Sequence, residues 1–249
     1  MINRKYAIHL LELCNHVYLN KDDCKVMIEA LGYTNFVFFE NKNSQAFGAT
    51  KDNTVYIVFR GTQIIENPEI KDVIASFKPH KTTFKGNTVH KGYYEYYDNL
   101  KDTIHNYLDK FPKLEKVFVG YSLGASSACF LGQDYDGKVY AFATPKSFNY
   151  DYPDEKIVNI LYNKDVLTQF PFGINNFKHI GKILTLKKDG SITENGSFKN
   201  VLNKLKLSLV LLILLPLIGL KVSIFIGRYF YNNHSISRYK DLLKGDNEN

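Results

Sequence analysis

Four short, almost wholly apolar runs recur along the chain: TVYIVF (54–59), KVFVG (116–120), VYAFAT (139–144) and IVNILY (157–162). Each is too short for a buried helix and lacks the strict alternation of a half-solvated strand, so each predicts a strand covered on both faces. HIGKILTL (179–186) predicts a further strand. Helical patterns lie between them. Tyr93, Tyr97, Leu100, Ile104 and Leu108 fall at helical spacing ahead of a stop at Pro112, and small residues follow the second run. Strands alternating with helices predict a mostly parallel sheet with helices on both faces. Upstream, Tyr6, Leu10, Leu13, Cys14 and Val17 mark an amphipathic helix, and Asn35 to Thr50 reads as a hairpin turning at Asn41 to Ser44. The 249 residues suit one α/β domain spanning 1–249.

Charge narrows the partners. Lys and Arg exceed Asp and Glu by 32 to 25, a net +7, which favours anionic surfaces. Arginine occurs only at 4, 60, 228 and 238, so the basic charge is almost all lysine. Lysine lacks the planar fork that reads bases and phosphates bidentately, so specific nucleic-acid recognition is not expected. The aromatic run from Tyr93 to Tyr97 could stack on bases, but at helical spacing it reads as half core and half rim. Cys14, Cys24 and Cys129 are odd in number and lack motif spacing, which excludes a disulfide framework and a cysteine-based zinc site and suits a reducing compartment. Glu12 and two histidines interrupt what would be the apolar core of a signal peptide, so none is expected.

The chemistry concentrates at Gly120-Tyr121-Ser122-Leu123-Gly124, a G-x-S-x-G. It follows an apolar strand and precedes a small-residue helix, the setting in which a strained turn lifts a serine above a sheet edge. There the Leu123 N–H, at the helix start, would face a developing oxyanion. The plainer alternative is an ordinary β–α turn with a capping serine. A serine hydroxyl needs a base and a group to orient that base. Asp165 ends the strand IVNILYN and suits the second task, although it also suits a turn cap. Two histidines follow. His179 opens a strand 14 residues after Asp165 and suits a structural role; His234, in the polar stretch YNNHS, suits the base.

These segments together resemble the class 3 (fungal-type) lipases of the α/β-hydrolase fold. VYIVFRGTQ (55–63) is similar to the family's strand and F-R-G-T/S segment, VHKGYYEYY (89–97) to its V-H-x-G-F stretch, and VGYSLGASSA (119–128) to its elbow. VYAFATPKSFN (139–149), DVLTQFP (165–171), FKHIG (177–181) and HSISRY (234–239) correspond to the later blocks in order. Tyr121 stands where the family often has histidine. The resemblance implies a triad of Ser122, Asp165 and His234, and an oxyanion hole from Thr62 and the Leu123 N–H. It implies hydrolysis of glycerolipid esters, of lipase or phospholipase type, through an acyl-enzyme, with no metal and no cofactor. The alternatives are an inactive lipid-binding module and an acyltransferase using the same three residues.

One segment departs from a soluble pattern. Leu207 to Leu220 carries no charge in 14 residues, and the apolar character continues past Lys221 to Gly227. At 1.5 Å per residue the uncharged run spans about 21 Å, short of a hydrocarbon core of about 30 Å. Because 207–227 falls between Asp165 and His234, a single crossing would part the triad. Lys199, Lys204 and Lys206 before it, and Lys221 and Arg228 within and after it, give no orientation preference. Pro216 and Gly219 favour a turn back. The expectation is an apolar insertion, 201–230, forming a hairpin or interfacial helix that docks the cleft on a membrane, at its cytoplasmic face. A buried core helix and a true span are the alternatives.

Overall fold

The computed structural model describes residues 2–61, 80–171, 176–196 and 232–245. The segments 62–79 and 197–231 lie outside these residues, and with them Thr62 and the apolar stretch 207–227. A sheet of eight strands organises the chain, in the order β1-β2-β3-β6-β7-β8-β9-β10. β1 (Thr34–Asn41), β2 (Ser44–Lys51) and β3 (Thr54–Phe59) pair antiparallel. β3, β6 (Glu115–Tyr121), β7 (Lys138–Phe142), β8 (Ile157–Tyr162) and β9 (Lys182–Leu186) run parallel. β10 (Ile192–Glu194) closes the far edge antiparallel to β9. A separate two-stranded sheet joins β4 (Lys81–Phe84) to β5 (Asn87–His90).

The parallel strands coincide with the apolar runs because both of their faces are covered. Val55, Ile57 and Phe59 face one core with Phe118; Tyr56 and Val58 face the other with Val117, Val119 and Tyr121. The first core is completed by α3 (Lys91–Asp98), α4 (Lys101–Leu108) and α5 (Leu123–Asp134). The second is completed by α1 (Arg4–His16), α2 (Lys21–Ala30) and α6 (Ile236–Lys244). Each large apolar side chain withdrawn from water contributes about 1.5–3 kcal/mol. Asn3 and Asn20 cap α1 and α2 by accepting amides of their first turns. The expected amphipathic face of α1 is buried, with Leu10, Leu13, Cys14 and Val17 fully covered.

Three local expectations need correction. The helical pattern from Tyr93 to Leu108 is two helices, broken at Asn99 and Leu100. There the Asn99 carbonyl accepts Asn41 Nδ2 at 2.8 Å, from the first hairpin, and is diverted from helix use. The run VYAFAT stops as a strand at Phe142, and Ala143 turns the chain with φ 54°. The run HIGKILTL pairs only from Lys182, since Gly181, at φ 69°, makes a left-handed turn packed against Ile157. Among the described residues no helix is long and apolar enough to cross a membrane.

α6 is tied back to the first helix. Arg4 donates to the Leu243 carbonyl at 3.2 Å and to the Gly190 carbonyl at 2.7 Å, and Lys240 pairs with Glu12 at 3.0 Å. That contact fixes the helix that follows His234.

Candidate active site

β6 delivers Ser122 to a sharp turn at the sheet's carboxyl edge. Ser122 has φ 56° and ψ −122°, a left-handed conformation that a β-carbon disfavours. Two glycines permit it. A β-carbon on Gly120 would lie 2.1 Å from the Gly124 carbonyl oxygen, and one on Gly124 would lie 2.5 Å from the Phe59 oxygen. The strand, the turn and α5 therefore close to a spacing that only glycine allows. The Ser122 N–H donates to the Phe142 carbonyl at 2.9 Å, which locks the turn to β7. Ser122 makes no side-chain cap bond to α5, so its hydroxyl is not spent as a helix cap.

Asp165 lies three residues beyond β8 and is fully buried. It caps a short 3₁₀ turn, Val166–Gln169, with Oδ1 accepting the Leu167 N–H at 3.1 Å. Both readings of this residue therefore hold at once: one carboxylate oxygen caps, and the other is left for a base. His234 sits on a bend just before Ser235, the N-cap of α6. Its Nδ1 lies 2.7 Å from Asp165 Oδ2, and its Nε2 lies 2.8 Å from Ser122 Oγ. With Nδ1–H donating to the carboxylate, Nε2 is the lone pair that accepts the serine proton. The structure thus brings together Ser122, His234 and Asp165 from three distant parts of the chain.

His179 is placed elsewhere. Its Nε2 lies 2.8 Å from the Thr144 carbonyl oxygen, and burial pushes its pKa down to about 4. Leu123 is the first residue of α5, among the amides a helix start leaves without an internal acceptor. Gly61 packs on the same turn: a β-carbon there would meet the Tyr121 carbonyl oxygen at 2.5 Å and Ser122 Cβ at 3.4 Å. His90 caps α3 through Nδ1 and stacks on Tyr93, and His105 meets Tyr97. Among the described residues no group of three His, Cys, Asp or Glu side chains could hold a metal ion.

Two tyrosines around the site have hydroxyl roles that the sequence does not show, one of them Tyr121, noted above only as standing where the family often has histidine. Tyr239 Oη donates to Asp165 Oδ2 at 2.9 Å and accepts the Tyr162 N–H at 2.9 Å. Burial, with the Asp165 charge beside it, raises the Tyr239 hydroxyl well above the ordinary tyrosine range, so it stays a donor. Tyr121 Oη donates to the His234 carbonyl at 2.7 Å. The sequence signal is slight: both occupy core-facing positions where phenylalanine would serve packing alone, and a buried tyrosine hydroxyl usually finds an acceptor.

The family description Lipase (class 3) matches residues 56–174. Lipases of Rhizopus niveus and Rhizopus oryzae are each 29% identical over 96 residues, covering 37% of this chain. The aligned stretch spans only 24% of those relatives' own length. Among solved structures, the Rhizomucor miehei lipase propeptide complex is 18% identical with a TM-score of 0.58, covering 76% of this chain and 70% of that one. A crystal structure of MDLA from Penicillium cyclopium is 17% identical with a TM-score of 0.59, covering 78% and 87%. The shared architecture is the α/β-hydrolase fold.

Proposed function

We propose that this chain, whose residues 56–174 match the class 3 lipase family, hydrolyses carboxylic esters of glycerolipids at a membrane surface. One observation carries the reading: the row from Asp165 Oδ2 to His234 Nδ1 at 2.7 Å, and from His234 Nε2 to Ser122 Oγ at 2.8 Å. His234 takes the Ser122 proton as Oγ attacks the ester carbonyl. Asp165 keeps the imidazole in the tautomer with Nδ1–H and stabilises its cation. The Leu123 N–H stabilises the tetrahedral oxyanion, with the Thr62 N–H as the second donor that the family resemblance implies. His234 then hands its proton to the departing alcohol, leaving an acyl-Ser122. Water, deprotonated by His234, releases the fatty acid and restores the serine. The strained, uncapped Ser122 favours this enzyme over an inactive lipid-binding module.

The row also bears on membrane association. Asp165 and His234 bracket 207–227, yet they hydrogen-bond directly. A single crossing would separate them by about 30 Å of hydrocarbon. This argues against a single crossing, and the membrane contact itself is inferred from the uncharged apolar run 207–220. The net charge of +7 favours phospholipid over neutral fat. Three free, buried cysteines favour the cytoplasmic face.

The test is turnover of a soluble short-chain ester together with labelling by an activated fluorophosphonate. Ser122→Ala is expected to abolish labelling and to lower kcat on the order of 10³-fold or more with folding intact, and His234→Ala to lower it about as much. Wild-type turnover by both variants would overturn the proposal.

A further inference from the structure

Ser122 and Asp165 are each held by the sheet, through β6 and β8. His234 is not. It lies on a bend, between Asn233 and the Ser235 cap of α6. Among the described residues, its carbonyl takes a hydrogen bond from Tyr121 Oη at 2.7 Å. Tyr121 is the last residue of β6, 4% exposed, and directly precedes Ser122. Its ring lies 5.4 Å from the His234 ring, tilted by 49°, and packs edge-on against Tyr239 at 5.7 Å. A small closed circuit results. The peptide bond joins Tyr121 to Ser122, Ser122 Oγ meets His234 Nε2, and the His234 carbonyl returns to Tyr121 Oη.

We propose that Tyr121 is a positioning residue for the base: its hydroxyl sets the distance and angle of His234 relative to Ser122. The inference rests on the triad reading above. In such a circuit the base inherits the rigidity of β6, and the proton acceptor keeps register with the strand that carries the nucleophile. The Tyr121 hydroxyl is bonded to the main-chain carbonyl of the base, so it acts through His234. A plain packing residue would need the ring alone, and the hydroxyl, aimed at the base's own carbonyl, adds the registration. Misplacing a catalytic group by a fraction of its working distance slows the chemical step and leaves binding alone.

Tyr121→Phe keeps the ring and removes the donor. Turnover on a soluble short-chain ester is measured per active site titrated with an activated fluorophosphonate, so that lost folded protein does not count as lost rate. We expect kcat to fall about tenfold with KM within about twofold of wild type. The decisive measurement is a double-mutant cycle with His234→Ala, scored by residual hydrolysis per mole of folded protein. Without an imidazole there is nothing to position, so Tyr121→Phe is expected to change the residual rate less than about twofold in that background. Ile28→Ala, buried in α2 beside β1 at the other edge of the sheet from β10, serves as a control that lowers Tm without lowering kcat. Tyr121→His, whose shorter ring leaves its N–H out of reach of the His234 carbonyl, is the second variant, used if the phenylalanine variant does not fold. It is expected to retain folding and to lower kcat about tenfold with KM within about twofold of wild type, and a kcat within twofold of wild type overturns the proposal. A Tyr121→Phe kcat within twofold of wild type overturns the proposal, as does an equal fractional loss in the presence and absence of His234. So does a folded Tyr121→His that has lost activity as fully as His234→Ala. An active Ser122→Ala would instead sink the triad reading beneath it, which separates the two failures.

Discussion

Tyr239→Phe separates the support of the aspartate from its chemistry. The substitution keeps the ring that packs against Tyr121 and Tyr162 and deletes one oxygen. That oxygen makes two buried bonds, donating to Asp165 Oδ2 and accepting the Tyr162 N–H, each at 2.9 Å. Leaving a buried amide unpaired costs about 1–3 kcal/mol, and removing a hydrogen bond to a carboxylate costs about 1.5–3. The sum, about 2.5–6 kcal/mol, lowers Tm by about 5–24 °C in a chain of this size, at about 2–4 °C per kcal/mol. Turnover should move far less. Asp165 keeps the Leu167 amide on Oδ1 and His234 Nδ1 on Oδ2, so the imidazole keeps its tautomer. We expect kcat below the melting range to stay within about tenfold of wild type, whereas Asp165→Asn, which reverses the tautomer, costs about 10⁴-fold in the serine protease precedent. Calorimetry and ester turnover on the same preparations decide it. A Tm within about 2 °C of wild type would refute the reasoning about buried polar pairing. A kcat as low as that of Asp165→Asn would place the hydroxyl in the reaction itself.

His179 gives a pH dependence with a definite sign. Its folded pKa of about 4 lies below the ordinary 6.5, so the unfolded chain takes the proton first and stability is lost as pH falls from about 6.5 to 4. At 1.36 kcal/mol per unit the loss approaches about 3 kcal/mol. His179→Gln, which keeps a donor for the Thr144 carbonyl, should flatten Tm between pH 7 and 4.5, and parallel Tm profiles would refute it. Gly124→Ala, driving a β-carbon to 2.5 Å from the Phe59 oxygen and 2.7 Å from the Arg60 oxygen, should cost about 1–3 kcal/mol and most turnover; an active, equally stable variant would mean that the turn yields. Single cysteines placed near Lys199 and near Tyr231 should react with an impermeant thiol reagent from the same side of sealed vesicles. The native thiols stay silent because all three are buried, with Cys24 and Cys129 pushed up to about 12. Opposite-side labelling would contradict the one-sided insertion.

What could be read from the residues and what could not divide along a physical line. Periodicity reports burial, so the five parallel strands and the first hairpin were legible: their apolar runs are the only way to cover both faces of a sheet. A catalytic side chain reports chemistry, so a serine between glycines, an aspartate at a strand end and a late histidine could be picked out as candidates before their distances were known. The break at Asn99 could not be read, because the bond made there, from Asn41 Nδ2 to the Asn99 carbonyl, comes from 58 positions away. The two tyrosines escaped for a related reason. On β6 and on the face of α6 that carries Tyr239, Leu242 and Leu243, a tyrosine satisfies the apolar pattern as well as phenylalanine does. Its ring goes where the pattern demands, while its hydroxyl is bound by a separate rule, that a buried donor must find an acceptor. Pattern thus fixes the ring and leaves the hydroxyl's partner open, and here those partners lie 113 and 74 positions away, on His234 and Asp165. A core-patterned tyrosine beside a reactive motif is therefore the place to look for hydrogen bonds that steady the reactive groups, and this fold uses that device twice.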